Sequence, residues 1–204
     1  MARRALLIAV TFCAVSLSES ARAERFTIKS AYQQAGVVLY DLAKDADEPR
    51  ALAYVRQVHA RHAERAPGSE LSDARGAAKR LESTEGNCIV FTSRGRASRI
   101  LRRLLEPFRK STEGRRFAGR VLDAKAGERW IFAAPKPGTD GACVVLATGS
   151  NADLVGTADL FHGAASFHVR SGKGEDAGYY DRELRFEPEE LALRDALDDA
   201  VSFF

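Results

Sequence analysis

Two short segments of this sequence share one pattern, in which a glycine is followed two residues later by a cysteine and three apolar residues. The segments are GNCIVFTS at 86–93 and GACVVLAT at 141–148. Short apolar runs of this kind predict buried strands. If both strands are central in one sheet, a disulfide between Cys88 and Cys143 would join their starting ends. Because buried strands draw on few residue types, the similarity is also compatible with coincidence.

The N-terminus has the layout of a secretory signal peptide. Arg3 and Arg4 precede an uncharged, mostly apolar run from Ala5 to Leu17, and a polar stretch then ends at the small residue Ala23. This order of features is typical of a cleaved leader, and its apolar run is shorter than the roughly 20 residues that a membrane span requires. We therefore expect cleavage near Ala23, a periplasmic or secreted location, and no transmembrane segment in the mature chain.

Cleavage of residues 1–23 would also change the cysteine count. It would remove Cys13 and leave Cys88 and Cys143 in the mature chain. An even count in an oxidising compartment indicates one disulfide, and two separate buried thiols are the alternative. Residues 24–204 are enough for one sizeable core and too few for two, so we expect a single exported domain.

Helical patterns occur near both ends of the mature chain. Apolar residues in 31–44 fall on one side of a 3.6-residue period, and the segment 47–68 begins with acids and a proline and ends in Pro-Gly. These features predict an N-terminal helical hairpin. Residues 188–204 carry an apolar stripe that predicts a C-terminal helix.

Strand patterns predominate between these ends. Strands are predicted at 88–92, 116–123, 129–134, 142–148, 165–170 and 179–186, with helical spacing at 97–108 and 151–162. Segments 116–123 and 129–134 are interpreted as a hairpin. Helices at the ends with short strands between them favour an α+β domain with a mainly antiparallel sheet of about five or six strands.

Cys88 and Arg94 have the C-x5-R spacing of a cysteine phosphatase loop. In such a loop the thiolate lies above backbone N–H groups, and the residues between cysteine and arginine are normally small and flexible. Here residues 89–93 are Ile-Val-Phe-Thr-Ser, which read as a buried strand, and Asn87 stands where those enzymes usually have histidine. We therefore assign no catalytic role to Cys88.

The polar turn after this predicted strand is a better candidate for binding. Ser93, Arg94, Arg96, Ser98 and Arg99 surround the start of a predicted helix, where free N–H groups and arginines can meet an anion.

Two other interpretations of these arginines stay open. In the first, they form a solvated helix face whose stems cover apolar surface. In the second, they pair with the acidic C-terminal part of the chain, because residues 94–129 hold twelve basic against four acidic side chains and residues 175–204 hold ten acidic against three basic.

Other constellations carry less information. His59 and His62 are one helical turn apart, and His162 and His168 form a second pair, but no third ligand stands at a compelling position. We therefore expect no metal site and no cofactor, and no nucleophile motif supplies catalytic residues. Because the mature chain is nearly balanced in charge, we do not expect nucleic-acid binding.

These observations favour a small exported binding or accessory protein of the cell envelope that is not an enzyme. Its partner would be an envelope protein or an anionic ligand. The alternative is an exported hydrolase whose catalytic residues are distant in sequence and meet only in the fold.

Overall fold

The structure, a computed structural model, describes residues 25–33, 35–74, 81–82, 85–157 and 165–187. The predicted signal peptide and the predicted C-terminal helix lie outside these residues. The strands are β1 Ala35–Asp41, β2 Glu70–Asp73, β3 Asn87–Thr92, β4 Arg129–Pro135, β5 Ala142–Thr148, β6 Phe167–Ser171 and β7 Gly174–Gly178. The α-helices are α1 Ile28–Tyr32, α2 Glu48–Ala63, α3 Arg99–Leu105, α4 Thr112–Leu122 and α5 Asn151–Leu154. No helix in the described ranges is both long enough and apolar enough to cross a membrane.

All seven strands form one mixed sheet in the order β2-β1-β3-β5-β4-β6-β7. The first four strands in this order are parallel to one another, whereas β4 is antiparallel to β5 and β6, and β7 is antiparallel to β6. The prediction of an α+β domain with a mainly antiparallel sheet of five or six strands is therefore wrong. The fold is a mixed α/β fold.

Two misassigned segments account for most of this error. Residues 35–41 form strand β1, an interior strand, rather than part of a helical hairpin, because Val37, Val38 and Leu39 are buried in a parallel sheet and such strands lack polar alternation. Residues 116–123 lie mostly in α4, which Ser111 caps through a hydrogen bond from the N–H of Gly114 at 2.9 Å.

Several other predictions agree with the structure. The helix predicted within 47–68 is α2, and the strands predicted at 88–92, 129–134 and 142–148 are β3, β4 and β5. The predicted strand at 165–170 overlaps β6, but residues 179–186 follow the last strand instead of forming one. The helical stripe at 97–108 contains α3, which ends at Leu105; the interruption expected at Pro107 agrees with the 3₁₀ turn that begins there.

Helices pack on both faces of the sheet. Phe91 and Ile131 are in register with the same residue of β5, so they share one face, where Tyr54 of α2 meets Phe91 edge-on at 6.4 Å. Phe132 alternates with Ile131 and lies on the other face, where Phe117 of α4 contacts it at 5.4 Å. Helix α5 contacts α2, and α3 contacts α4. We call these the α2 side and the α4 side.

An aromatic cluster fills the core on the α4 side. Phe108 stacks on Phe117 with ring centroids 5.1 Å apart, and the buried Tyr180 meets Phe108 edge-on at 5.4 Å. The Tyr180 hydroxyl donates to the carbonyl oxygens of Ala133 and, at 3.1 Å, Ser166. Burial raises the pKa of Tyr180 well above its ordinary value. The Tyr180 hydroxyl therefore stays protonated, and its hydrogen bonds tie β4 and the residue before β6 to the aromatic cluster.

The predicted disulfide between Cys88 and Cys143 is confirmed. The two cysteines are direct register partners at the starting ends of β3 and β5, with Cα atoms 4.4 Å apart. Both side chains are fully buried. The bond therefore closes a 55-residue separation inside the core, which makes it a structural crosslink.

Reduction of this disulfide should lower the free energy of unfolding by about 4 kcal/mol, because the unfolded chain regains loop entropy. Urea unfolding of the oxidised and reduced protein measures the difference. The double variant Cys88→Ala/Cys143→Ala is the control, since reductant should not change its unfolding midpoint. Equal midpoints for oxidised and fully reduced wild-type protein would contradict the prediction.

Candidate functional site

The parallel strands β1, β3 and β5 end at the same edge of the sheet. Strands β2 and β3 lie on opposite sides of β1, so the chain reverses its direction of winding between β1 and β3. Ligands of open α/β sheets bind outside the carboxyl ends of the strands at such a switch point. Here Asp41 ends β1, and the segment Ser93–Ser98 follows β3. The predicted anion-binding turn therefore lies at the switch point.

On the α4 side, the switch point is built around the carboxylate of Asp41, which is 1% exposed. Its Oδ1 accepts a hydrogen bond from Arg94 Nη1 at 2.9 Å, and its Oδ2 accepts one from the hydroxyl of Ser98 at 2.5 Å. The same hydroxyl oxygen accepts from the N–H of Leu101 at 3.2 Å and caps α3. A buried carboxylate needs such partners, and this set ties the end of β1 to the start of α3.

On the α2 side, Ser93 and Asn151 connect the loops after β1, β3 and β5. The Ser93 hydroxyl donates to Asn151 Oδ1 and accepts from the N–H of Ala43 at 3.0 Å. Asn151 Nδ2 donates to Ala43 O and to Asp45 Oδ1, each at 2.8 Å. Asn151 is fully buried, and these bonds hold the loop after β1 against the carboxyl ends of its neighbours.

The structure brings three of the five predicted anion-binding residues together. The polar atoms of Ser93, Arg94 and Ser98 all contact groups of the chain itself at the switch point. Arg96 points away and forms a two-pronged ion pair with Asp123, and Arg99 is exposed on α3.

The ion pair between Arg96 and Asp123 lies in solvent at the end of α4. The hydrogen bond from Arg96 lowers the pKa of Asp123, and the same bond raises the pKa of Arg96. Within the described residues, Arg94 pairs with Asp41 and Arg96 with Asp123, and neither pairs with an acid of residues 175–187. Residues 188–204 of the acidic segment lie outside the described part of the chain.

Sequence reasoning missed Asp41, Asp45 and Asn151. Each follows or ends an apolar run, Asp41 after AGVVLY and Asn151 shortly after ACVVLAT. Polar residues at the ends of apolar runs can indicate a shared polar site, because the carboxyl ends of parallel strands meet at one edge of the sheet. The signal was lost for Asp41 because β1 was interpreted as a helix.

Each of the three histidines that the structure describes has a contact away from the switch point. His59 Nε2 contacts Ser69 O at 2.9 Å, and His62 Nε2 contacts Ala35 O at 2.7 Å. His168 lies 3.5 Å from Glu175, and His162 lies outside the described residues. None of these contacts joins a histidine to Ser93, Ser98 or Asp41. The described ranges also contain no group of three or more side chains suited to hold a metal ion.

A basic surface covers the outside of α3, the following 3₁₀ turn and α4. We call it the arginine face; its eight exposed basic side chains are Arg99, Arg102, Arg103, Arg109, Lys110, Arg115, Arg116 and Arg120. Residues 99–120 include two acids, Glu106 and Glu113. Within the described part of the chain, the one ion pair of this face joins Arg103 to Glu82 at 3.0 Å.

Helix α2 and its flanking turns, within the described residues, lack such an excess. Residues 45–65 hold four basic and four acidic side chains. Among the described helices, the excess of positive charge therefore lies on the α4 side of the sheet. The amphipathic pattern of α3 and α4 explains this arrangement, because Ile100, Leu104 and Phe117 enter the core while the arginines remain in water.

Replacement of Arg94 by Gln should lower the free energy of unfolding by about 1 to 3 kcal/mol, because the buried carboxylate of Asp41 loses a charge-assisted hydrogen bond. The matched control is Arg96→Gln, which removes an equal charge from a solvent-exposed pair and should leave the urea midpoint nearly unchanged. Equal effects of the two substitutions in urea unfolding would refute a special role for Arg94.

Comparison with known proteins adds no functional assignment to this geometry. No family model matches the sequence, and no curated protein or solved structure matches it significantly. The switch point and the arginine face therefore have to be interpreted from their own geometry and charge.

Proposed function

We propose that the protein is an exported, non-enzymatic binding protein of the cell envelope, and that its arginine face docks on a phosphate-bearing lipid surface. The observation that carries the proposal is the concentration of eight exposed basic side chains, against two acids, on α3, α4 and the 3₁₀ turn between them.

Export is supported by two features. The N-terminal sequence has the layout of a leader. The core contains a disulfide between paired strands, and structural disulfides persist mainly in oxidising compartments. Outside the cytoplasm, the partners available to a basic surface include the anionic groups of the envelope itself.

The composition of the arginine face suits phosphate groups. Arginine presents a planar fork of donors that matches the oxygens of phosphate, and seven of the eight basic residues are arginines. Arg115 links two parts of the arginine face. Its guanidinium donates to Arg109 O at 3.2 Å and to Thr112 Oγ1 at 3.1 Å. These bonds connect the 3₁₀ turn to α4, so the basic residues of both belong to one surface.

The one-sided distribution of charge favours a flat anionic surface as the binding partner over an anionic polymer that wraps around the protein. The α2 side is balanced in charge, so only the α4 side attracts an anionic partner over a distance comparable to the Debye length, about 10 Å at moderate salt. A basic residue close to an anionic membrane contributes about 1 kcal/mol to binding. Several such residues are enough for reversible docking without insertion of apolar groups.

The predicted anion-binding residues divide between two roles in this proposal. Arg99 belongs to the arginine face and Arg96 lies at its margin, so we assign both to contact with phosphate. Arg94, Ser93 and Ser98 hold the switch point, where they fix the start of α3 and with it the orientation of the face. We propose that the protein is not an enzyme because these three polar side chains are hydrogen-bonded to other groups of the chain.

The triple substitution Arg102→Gln, Arg109→Gln and Arg116→Gln should weaken binding to vesicles containing anionic phospholipid by about 100-fold, at roughly 1 kcal/mol for each residue. Co-sedimentation of the natively processed protein with vesicles of graded anionic content measures the affinity. Binding should also weaken steeply with added salt.

The matched control removes the same charge from the opposite side, by Arg50→Gln, Arg56→Gln and Arg61→Gln on α2. This variant should retain nearly full vesicle binding. Equal losses in both triple variants would show that net charge alone matters, and preferential binding to a nucleic acid over anionic vesicles would also overturn the proposal.

A further inference from the structure

A cleft of about 490 Å³ opens beside the arginine face. Its lining comes from the turn at residues 125–128 between α4 and β4, from residues 171–176 of the β6–β7 hairpin, and from Arg120 and Val169. The cleft lies at the same edge of the sheet as the switch point, because the start of β4 pairs with the end of β5. It shares no lining residue with the Asp41 network.

Register places the floor of this cleft on the α4 side. Trp130 is paired with Val169, and Val169 is paired with Asp176, so these side chains share a face. The guanidinium of Arg120 lies over the ring of Trp130 at 5.0 Å from its centroid. Arg120 therefore belongs both to the arginine face and to the wall of the cleft.

The lining carries both signs of charge. Its basic side chains are Arg120, Lys125 and Lys173, and its acids are Glu128, Glu175 and Asp176.

Two of the acids already have partners. Glu175 pairs with Arg170 and His168, and Glu128 accepts a hydrogen bond from the N–H of Lys125 at 3.2 Å. Asp176 has neither a hydrogen bond nor an ion pair among the described contacts. The lining therefore has three basic side chains, and Asp176 is its one acid without a hydrogen bond or ion pair among the described contacts.

We infer that this cleft binds the phosphoethanolamine head group of a phospholipid, with the phosphate held by Arg120, Lys125 and Lys173 and the ammonium held by Asp176. A primary ammonium offers N–H donors to a carboxylate, whereas a quaternary ammonium is recognised by aromatic rings. The lining contains no aromatic side chain, so it selects ethanolamine over choline. This inference deepens the proposed function and rests on it for the source of the head group.

A soluble head group tests the cleft without a membrane. Glycerophosphoethanolamine is titrated into the natively processed protein by calorimetry and by fluorescence of Trp130, the single tryptophan of the chain. We expect saturable binding that is about tenfold weaker for glycerophosphocholine, since one charge-assisted hydrogen bond contributes about that factor. No saturable binding of the ethanolamine probe, or equal binding of both probes, would overturn the inference.

Variants assign the two charged ends of the probe. Lys125→Gln with Lys173→Gln should lower affinity for both glycerophosphoethanolamine and inorganic phosphate by about tenfold or more. Asp176→Asn should weaken the ethanolamine probe and leave inorganic phosphate unchanged. If inorganic phosphate binds as tightly as the ethanolamine probe and Asp176→Asn affects neither, the cleft is a free-phosphate site and the inference is wrong.

The arginine-face triple variant separates this inference from the proposed function. It should lose vesicle binding and retain the soluble head group, because none of its three substituted residues lines the cleft. Loss of soluble head-group binding in that variant, with an unchanged melting temperature, would contradict a separate site. The cleft inference would fail if the wild-type protein bound no soluble head group. The docking proposal would still stand if the Lys125/Lys173 variant kept its binding to vesicles.

Discussion

The parallel pairing of β3 with β1 and β5 is the interaction on which the rest of the structure depends. At the starting end of this ladder, Cys88 and Cys143 are joined covalently. At the carboxyl end, Asp41 binds Arg94 and Ser98 across 53 and 57 residues of sequence. Both ends of β3 are therefore fixed to its neighbours by more than backbone hydrogen bonds. Helix α3 starts directly from this fixed point, since Ser98 is at once its cap and a partner of Asp41.

The chemistry of Asp41 determines which arginines are available to a partner. A carboxylate removed from water requires compensation, and Arg94 and Ser98 supply it. The residues nearest the switch point are thus engaged in holding the fold, and the residues further along α3 and α4 carry their charge into solvent. The same division explains why two different parts of the chain are involved. The Ser93–Ser98 loop is the anion site predicted from the sequence, whereas the arginine face is the surface proposed to bind anions. In the α3–α4 layer, apolar residues such as Leu104 and Phe117 anchor the helices, and the arginines opposite them form the arginine face.

Sequence patterns predicted the parts of this fold whose signal is local. Strands β3 and β5 were recognisable as compact apolar runs, and α2 was recognisable from the acids and proline at its start and the Pro-Gly after its end. The disulfide was predictable from the two cysteines that remain after the expected cleavage. Strand β1 was missed because Ala35, Val38, Leu39 and Leu42 fit a helical period as well as a buried strand, and only pairing with two neighbours decides between them. Helix α4 was missed because its arginines obscured the stripe formed by Phe117, Val121 and Leu122. The Asp41 network and the parallel order of the sheet depend on contacts between distant residues, which one sequence does not display.

The most direct test of the account is hydrogen–deuterium exchange of the protein alone and bound to anionic phospholipid vesicles. Docking through the arginine face predicts that vesicles slow exchange in residues 99–122 and leave exchange in residues 48–63 of α2 unchanged, since these segments lie on opposite faces of the sheet. The Asp41 network should exchange slowly in both states, because its bonds are internal. Slower exchange in α2, or vesicle binding with no change in residues 99–122, would contradict the account.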